Sequence, residues 1–215
     1  MKKKFRVLLL ACLASPVIAS SAYAIGYIGN AGFENHTVLA DWAIKDIGGG
    51  SAGVVSSATL PINPTPKTET FTAVEGSYMA KLIGTSYISQ VISWQTGDTI
   101  SFSWNYYTPD PNTGDTSIFS IKSGGEAIFA HTVKDHKKAT GWNSFSYTFE
   151  GDGSGEVQFG AYNANTGTQA IQRPILLIDN IRTTSAVPIP SSALLLGSGV
   201  IGLLGIGSRK KKVQA

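Results

Sequence analysis

Three histidines, one cysteine and fourteen carboxylates are the groups of this 215-residue chain that could move protons, bind metals or attack a substrate. Their spacing does not assemble them. His36, His131 and His136 share no metal-ligand spacing with one another or with Cys12. His131 and His136 fall near Lys134, Lys137 and Lys138, which reads as a solvated loop. No Gly-x-Ser-x-Gly match sits in the strand–turn–helix setting of a nucleophile elbow, and no serine has a plausible His partner with a spaced acid. Gly48-Gly49-Gly50 and Gly151-Asp152-Gly153 lack the helix and lysine of a phosphate cradle and read as turns. A glycosidase pair must face itself across about 5–10 Å, whereas Glu126, Glu150 and Glu156 all border expected turns. Aromatic side chains remain, and an exposed Trp or Tyr face can stack on a sugar ring. Tyr107 has the opposite parity to Trp104 and Tyr106, so it is expected to be exposed; Trp94, Tyr87 and Tyr162 fall at strand ends near loops. Tyr107 and Trp94 are the first choices for a glycan platform, with packing in the core or rim as the competing role.

The elements that must carry these residues are strands. Ile100, Phe102, Trp104 and Tyr106 alternate with Ser101, Ser103 and Asn105 at period two, as do Phe145, Tyr147 and Phe149 with Ser144, Ser146 and Thr148. Gly97-Asp98 separates the first of these from the run Ile88–Trp94 in the manner of a hairpin, and Ser123-Gly124-Gly125 joins Ile118–Ile121 to Ala127–Val133 as another. Asp152-Gly153-Ser154-Gly155 turns the chain into Val157, Phe159 and Ala161, and Ile175–Ile181 is a nearly continuous apolar strand. The Pro-rich segment 61–66 excludes a central strand there. The fold class is therefore all-β: a single antiparallel β-sandwich, with a jelly roll favoured.

Charge separates this body from its ends. Lys2, Lys3, Lys4 and Arg6 open the chain and Arg209, Lys210, Lys211 and Lys212 close it, which leaves nine basic against fourteen acidic residues between, a net of −5. A mildly acidic body lacks the basic face that displaces phosphate counterions, so nucleic acid is excluded as a partner. Met1–Arg6, the apolar Val7–Ala19 and the small-x-small Ala22-Tyr23-Ala24 form a signal peptide, residues 1–24, cut by signal peptidase after Ala24. Its apolar run of about 13 residues is too short to span a bilayer. Cys12 leaves with it, so the mature protein enters an oxidising space without disulfides.

After the body, residues 25–186, the segment 187–215 begins Val187-Pro188-Ile189-Pro190, continues uncharged from Ser191 to Ser208, and ends in the basic run 209–212. Eighteen residues at 1.5 Å make about 27 Å of helix, just enough to cross a membrane with the basic tail in the cytoplasm. This order resembles the PEP-CTERM sorting signal, with Ile189 where the family motif has Glu and Pro188 and Pro190 retained; Arg209 starts the basic stop. The resemblance implies processing by an exosortase, a Gram-negative host, transient membrane anchoring, and delivery to the cell surface or extracellular matrix.

The body carries Asn30-Ala31-Gly32-Phe33-Glu34, Trp42, Gly76-Ser77-Tyr78, Gly141-Trp142 and Leu177-Ile178-Asp179-Asn180-Ile181 in that order. In this it is similar to galactose-binding-like jelly rolls, including carbohydrate-binding modules of the family 4/9 type. The similarity implies a structural calcium held by Glu34 and Asp179, with backbone carbonyls completing six to eight oxygens. Without calcium, Glu34 caps a turn and Asp179 pairs with a cation such as Arg182. The leading expectation is a non-enzymatic surface protein associated with exopolysaccharide. A carbohydrate-binding module with a defined glycan is the alternative, and a glycoside-active enzyme the third.

Overall fold

In a computed structural model, residues 26–35, 39–62, 67–109, 114–134, 139–164 and 173–186 are described. The signal peptide with Ala22 and Ala24, the sorting segment with Pro188, Pro190 and Arg209, and His36 and His136 lie outside them. The described chain forms ten strands: β1 Ala43–Val55, β2 Ser57–Pro61, β3 Thr68–Thr72, β4 Met79–Trp94, β5 Thr99–Tyr107, β6 Thr116–Ser123, β7 Glu126–Lys134, β8 Asn143–Thr148, β9 Gly153–Tyr162 and β10 Ile175–Thr184. All pair antiparallel.

The long strand β4 organises the molecule. One of its edges pairs with β1; the other pairs first with β10, through Ala80–Ile83, and then with β9, through Ser86–Trp94. Between these stretches stands Gly84, in the left-handed region at φ 68°, beside Gly48 and Gly49 of β1, which share that conformation. The β1–β4 register shifts there, between Ile47 and Ser51. A Cβ on Gly50 would lie 2.1 Å from the Thr85 carbonyl oxygen, so only glycine permits the two backbones to meet at this bend. The three glycines read as a turn are thus a bulge inside β1, a strand that sequence periodicity missed.

The bend folds the sheet into two leaves. The β9 leaf runs β1–β4–β9–β6–β7 and the β10 leaf runs β1–β4–β10–β5–β8. Their inner faces meet through aromatic rings. Phe102 of β5 lies 4.8 Å edge-on from Phe159 of β9 and 4.6 Å from Phe119 of β6, geometries favoured by the ring quadrupole. Phe129 of β7 and Phe145 of β8 close the free edges at 5.5 Å.

One expected connection is corrected. β6 and β7 form the expected hairpin through Gly124-Gly125, but β4 and β5 do not pair, because the half of β4 that leads into Gly97-Asp98, Ser86–Trp94, runs in the β9 leaf and β5 in the β10 leaf. Gln95–Asp98 instead arches across the core. Asp98 holds the arch by accepting the Gln95 N–H at 2.8 Å and the Ala186 N–H at 2.9 Å. The Pro-containing segment is flanked by a separate hairpin, β2–β3, outside the main sheet, in keeping with the exclusion of a central strand there. Leu60 and Phe71 of that hairpin cover Met79, Leu177 and Tyr107 on the outer face of the β10 leaf. Asn105, expected on a polar outer face, is buried there.

Candidate functional site

The outer face of the β9 leaf can be laid out from its pairing register. One row reads Lys45, Tyr87, Gly160, Ile118 on β1, β4, β9 and β6; the next in one direction reads Ile47, Thr85, Tyr162, Thr116. In the other direction stand Ser89, Gln158 and Ser120, then Val91, Glu156 and Lys122. Parity places these residues opposite the core-facing Ile88, Phe159 and Phe119.

Gly160 is the device that shapes this face. A Cβ there would fall 2.2 Å from Cδ1 and 2.5 Å from Cε1 of Tyr87, so the Tyr87 ring lies against the bare glycine backbone. Burial pushes the Tyr87 phenol up, and the neighbouring Tyr162 phenol adds to the rise. Two tyrosines therefore lie close together on an open sheet face. Tyr162 is 41% exposed and Val91, two rows from Tyr87, 74%. Polar groups interleave with them, and Lys122 Nζ donates to Gln158 Oε1 at 2.9 Å.

The residues expected to form a platform lie elsewhere. Trp94 is 5% exposed and stacked on Phe149 at 4.5 Å with rings 14° apart, so both aromatic faces belong to the core. Tyr107 does point outward from the β10 leaf, but it is half-buried against the cluster under β2–β3, where burial pushes its phenol up. Neither ring is brought to Tyr87. Tyr87 and Tyr162 were visible in the sequence as strand-end aromatics; their juxtaposition over Gly160 depends on the β4–β9 register, which no local pattern reports. His131, expected in a solvated loop, stands on β7 and packs on Phe145 at 4.8 Å. With Trp104, Phe102 and Ser117 it lines a narrow gap between the leaves, about 10 Å³, room for a single water and far short of a ligand pocket.

Glu34 and Asp179 converge on one loop. Asp179 Oδ2 accepts the N–H groups of Val74 (2.6 Å) and Glu75 (3.0 Å), and Oδ1 accepts that of Asn180 (2.7 Å). Glu34 Oε1 accepts the N–H groups of Ser77 (2.9 Å) and Tyr78 (3.0 Å). Gly76 sits between these donors at φ 68°, and a Cβ there would meet Glu34 Oε1 at 2.2 Å. Burial raises the Asp179 carboxyl above the ordinary carboxylate range, against the pull of its three N–H donors, and the Glu34 charge adds to the rise. Arg182 does not pair with Asp179; it bridges to Glu75 at 2.8 Å.

The approach to this loop is strained. Phe33 has φ 58°, rare for a bulky residue, and is held there by burial against Trp42 at 5.8 Å. In donor type the pair fits calcium, a hard cation that takes carboxylate and carbonyl oxygens. Among the described residues, Glu34 Oε2 and the second lone pair of Asp179 Oδ1 remain for such an ion, and no cluster of three or more His, Cys, Asp or Glu is found.

No protein-family model matches the chain, and no curated protein matches it. Solved structures of related outline exist. The module TmCBM61, solved with β-1,4-galactotriose, is 15% identical, with 75% of this chain and 99% of that one covered at a TM-score of 0.48. The Stig cyclase Fisc from Fischerella sp. TAU is 14% identical over 74% and 96%, TM-score 0.49. The CBM22-1 xylan-binding domain of Paenibacillus barcinonensis Xyn10C is 14% identical over 77% and 100%, TM-score 0.41.

Proposed function

We propose that this chain is an exported, non-catalytic glycan-binding protein whose binding face is the outer surface of the β9 leaf. The observation that carries this reading is the Tyr87 ring resting on Gly160 beside Tyr162. An aromatic ring on an open sheet face, flanked by amide and hydroxyl groups, suits a pyranose, whose C–H face stacks while its rim hydroxyls hydrogen-bond. Titration with extracted exopolysaccharide and simple sugars, read by intrinsic fluorescence, tests it. Saturable binding that Tyr87→Ala weakens tenfold or more is the expected result. Absence of any saturable response leaves the matrix protein without a ligand.

Export and sorting complete the reading. Signal peptidase cuts after Ala24, and the helix at about 191–208 holds the protein in the inner membrane until an exosortase acts near Pro188–Pro190. The body then reaches the surface or matrix of a Gram-negative cell. A mature chain starting at Ile25 and ending near 188–191, by intact mass, is the expected product. In that calcium-containing space, Glu34 and Asp179 would hold a calcium ion that ties the first loop to the last strand.

A further inference from the structure

The row beside Tyr87 carries groups that stacking does not use. Ser89, Gln158 and Ser120 stand side by side on β4, β9 and β6. Ser120 belongs to the outward parity yet is only 3% exposed, and its Oγ has no hydrogen-bond partner. A buried hydroxyl in this condition is uncommon in a sheet and calls for a partner. Next to it, Lys122 Nζ reaches Gln158 Oε1 rather than its cross-strand neighbour Glu156. Among the described residues the only ion pair is Arg182–Glu75, so no described carboxylate lies within 4 Å of the Lys122 ammonium, although Glu156 stands beside it across the strand.

These groups share one chemistry. With its carbonyl oxygen engaged by Lys122, Gln158 presents Nε2 and its two N–H groups; Lys122 retains two N–H groups; Ser120 offers its hydroxyl. Adjacent rows are about 7 Å apart along a strand, so a ring stacked on Tyr87 extends a substituent over them. Lys45, exposed and directly opposite Tyr87 on β1, adds a second cation to the same face of an otherwise acidic body.

Resting on the glycan reading above, we propose that the sugar stacked on Tyr87 is a uronic acid whose carboxylate is received by Lys122 Nζ, Gln158 Nε2 and Ser120 Oγ. A carboxylate supplies acceptors and charge together, and charge-assisted bonds are shorter and stronger than neutral ones. A neutral hydroxymethyl group in the same place leaves the ammonium uncompensated.

The test compares polygalacturonate with its fully methyl-esterified form, which keeps the backbone and loses the charge, on the intact exported protein. The acid form is expected to bind about tenfold more tightly in low salt, with the difference shrinking near 0.5 M salt. Lys122→Gln should weaken binding of the acid about tenfold, and Ser120→Ala a few-fold with no loss of folding cooperativity. Equal affinity for acid and ester overturns the uronate assignment and leaves the tyrosine platform standing. Binding of no glycan, or binding indifferent to Tyr87→Ala, overturns both.

Discussion

Glu34 and Asp179, from the first loop and the last strand, grip the two halves of a single loop: Asp179 takes the N–H groups of Val74 and Glu75, Glu34 those of Ser77 and Tyr78. Four backbone donors are satisfied by two carboxylates, and the two ends of the body are tied through a segment that belongs to neither. Their environments differ. Asp179 is fully buried, whereas the bonds of Glu34 lie at the surface. Asp179→Ala strands part-buried donors and is expected to cost about 2 kcal/mol; Glu34→Ala, whose donors can turn to water, about 1 kcal/mol. Chemical denaturation of both variants checks the order.

The same pair sets an expectation for calcium. An ion binding only the folded state at a hundredfold excess over Kd adds about 2.7 kcal/mol, which for a body of this size raises Tm by about 5 °C or more. Chelation should reverse the rise, and Asp179→Asn should abolish the difference. An unchanged Tm on chelation removes calcium from the account and leaves the N–H donors as the sole counter-charge.

The protonation of Asp179 gives a pH signature in the absence of calcium. Its carboxyl is raised in the folded state by burial and by Glu34, so between its unfolded and folded pKa values the native state holds more protons than the unfolded one. Its contribution is therefore fully present below the ordinary carboxylate value and is lost as pH rises through the shifted one. Stability attributable to this group should increase on mild acidification. Asp179→Asn should flatten that part of the profile, measured by denaturation across pH with chelator present.

Why some of this was legible in the sequence and some was not follows from what a periodic pattern reports. Alternation identified β5, β8 and the inner set Ile100, Phe102 and Tyr106 correctly, because parity fixes which side chains face the core. Parity does not say which leaf a strand joins. β4 and β5, joined by Gly97-Asp98, looked like a hairpin, although both contribute inward residues from opposite leaves. The exposed stretch of β1 and its glycine bulge carry no apolar alternation at all. Glu34 and Asp179 were reachable through their neighbouring motifs. Tyr87, Gly160 and Tyr162 come together only through the β4–β9 register, and Trp94, at a strand end, faced the core by one residue of parity.

The bend at Gly50 makes a stability prediction that separates it from the binding face. A Cβ there meets backbone, the Thr85 carbonyl at 2.1 Å, and neither strand can yield without breaking the β1–β4 ladder. Gly50→Ala is expected to destabilise by about 1–3 kcal/mol, the usual range for overpacking. Thermal denaturation measures it. Glycan affinity of the folded fraction should stay within twofold of the parent chain.

Gly160→Ala should do the reverse. Here the added methyl meets the ring of Tyr87, a side chain on an open face that can rotate away, and Gly160 has no left-handed backbone requirement. The stability change is expected to stay within about 1 kcal/mol, because the displaced ring moves toward solvent rather than into the core. The platform, however, is lost. Its phenol leaves the position beside Tyr162, so glycan affinity should fall about as far as in Tyr87→Ala, and the two changes combined should cost little more than either alone, since both remove one contact surface. Additive losses in that double-mutant cycle would mean that Gly160 and Tyr87 contribute separately, and that the ring lying on the glycine is a packing detail of the sheet rather than its binding surface.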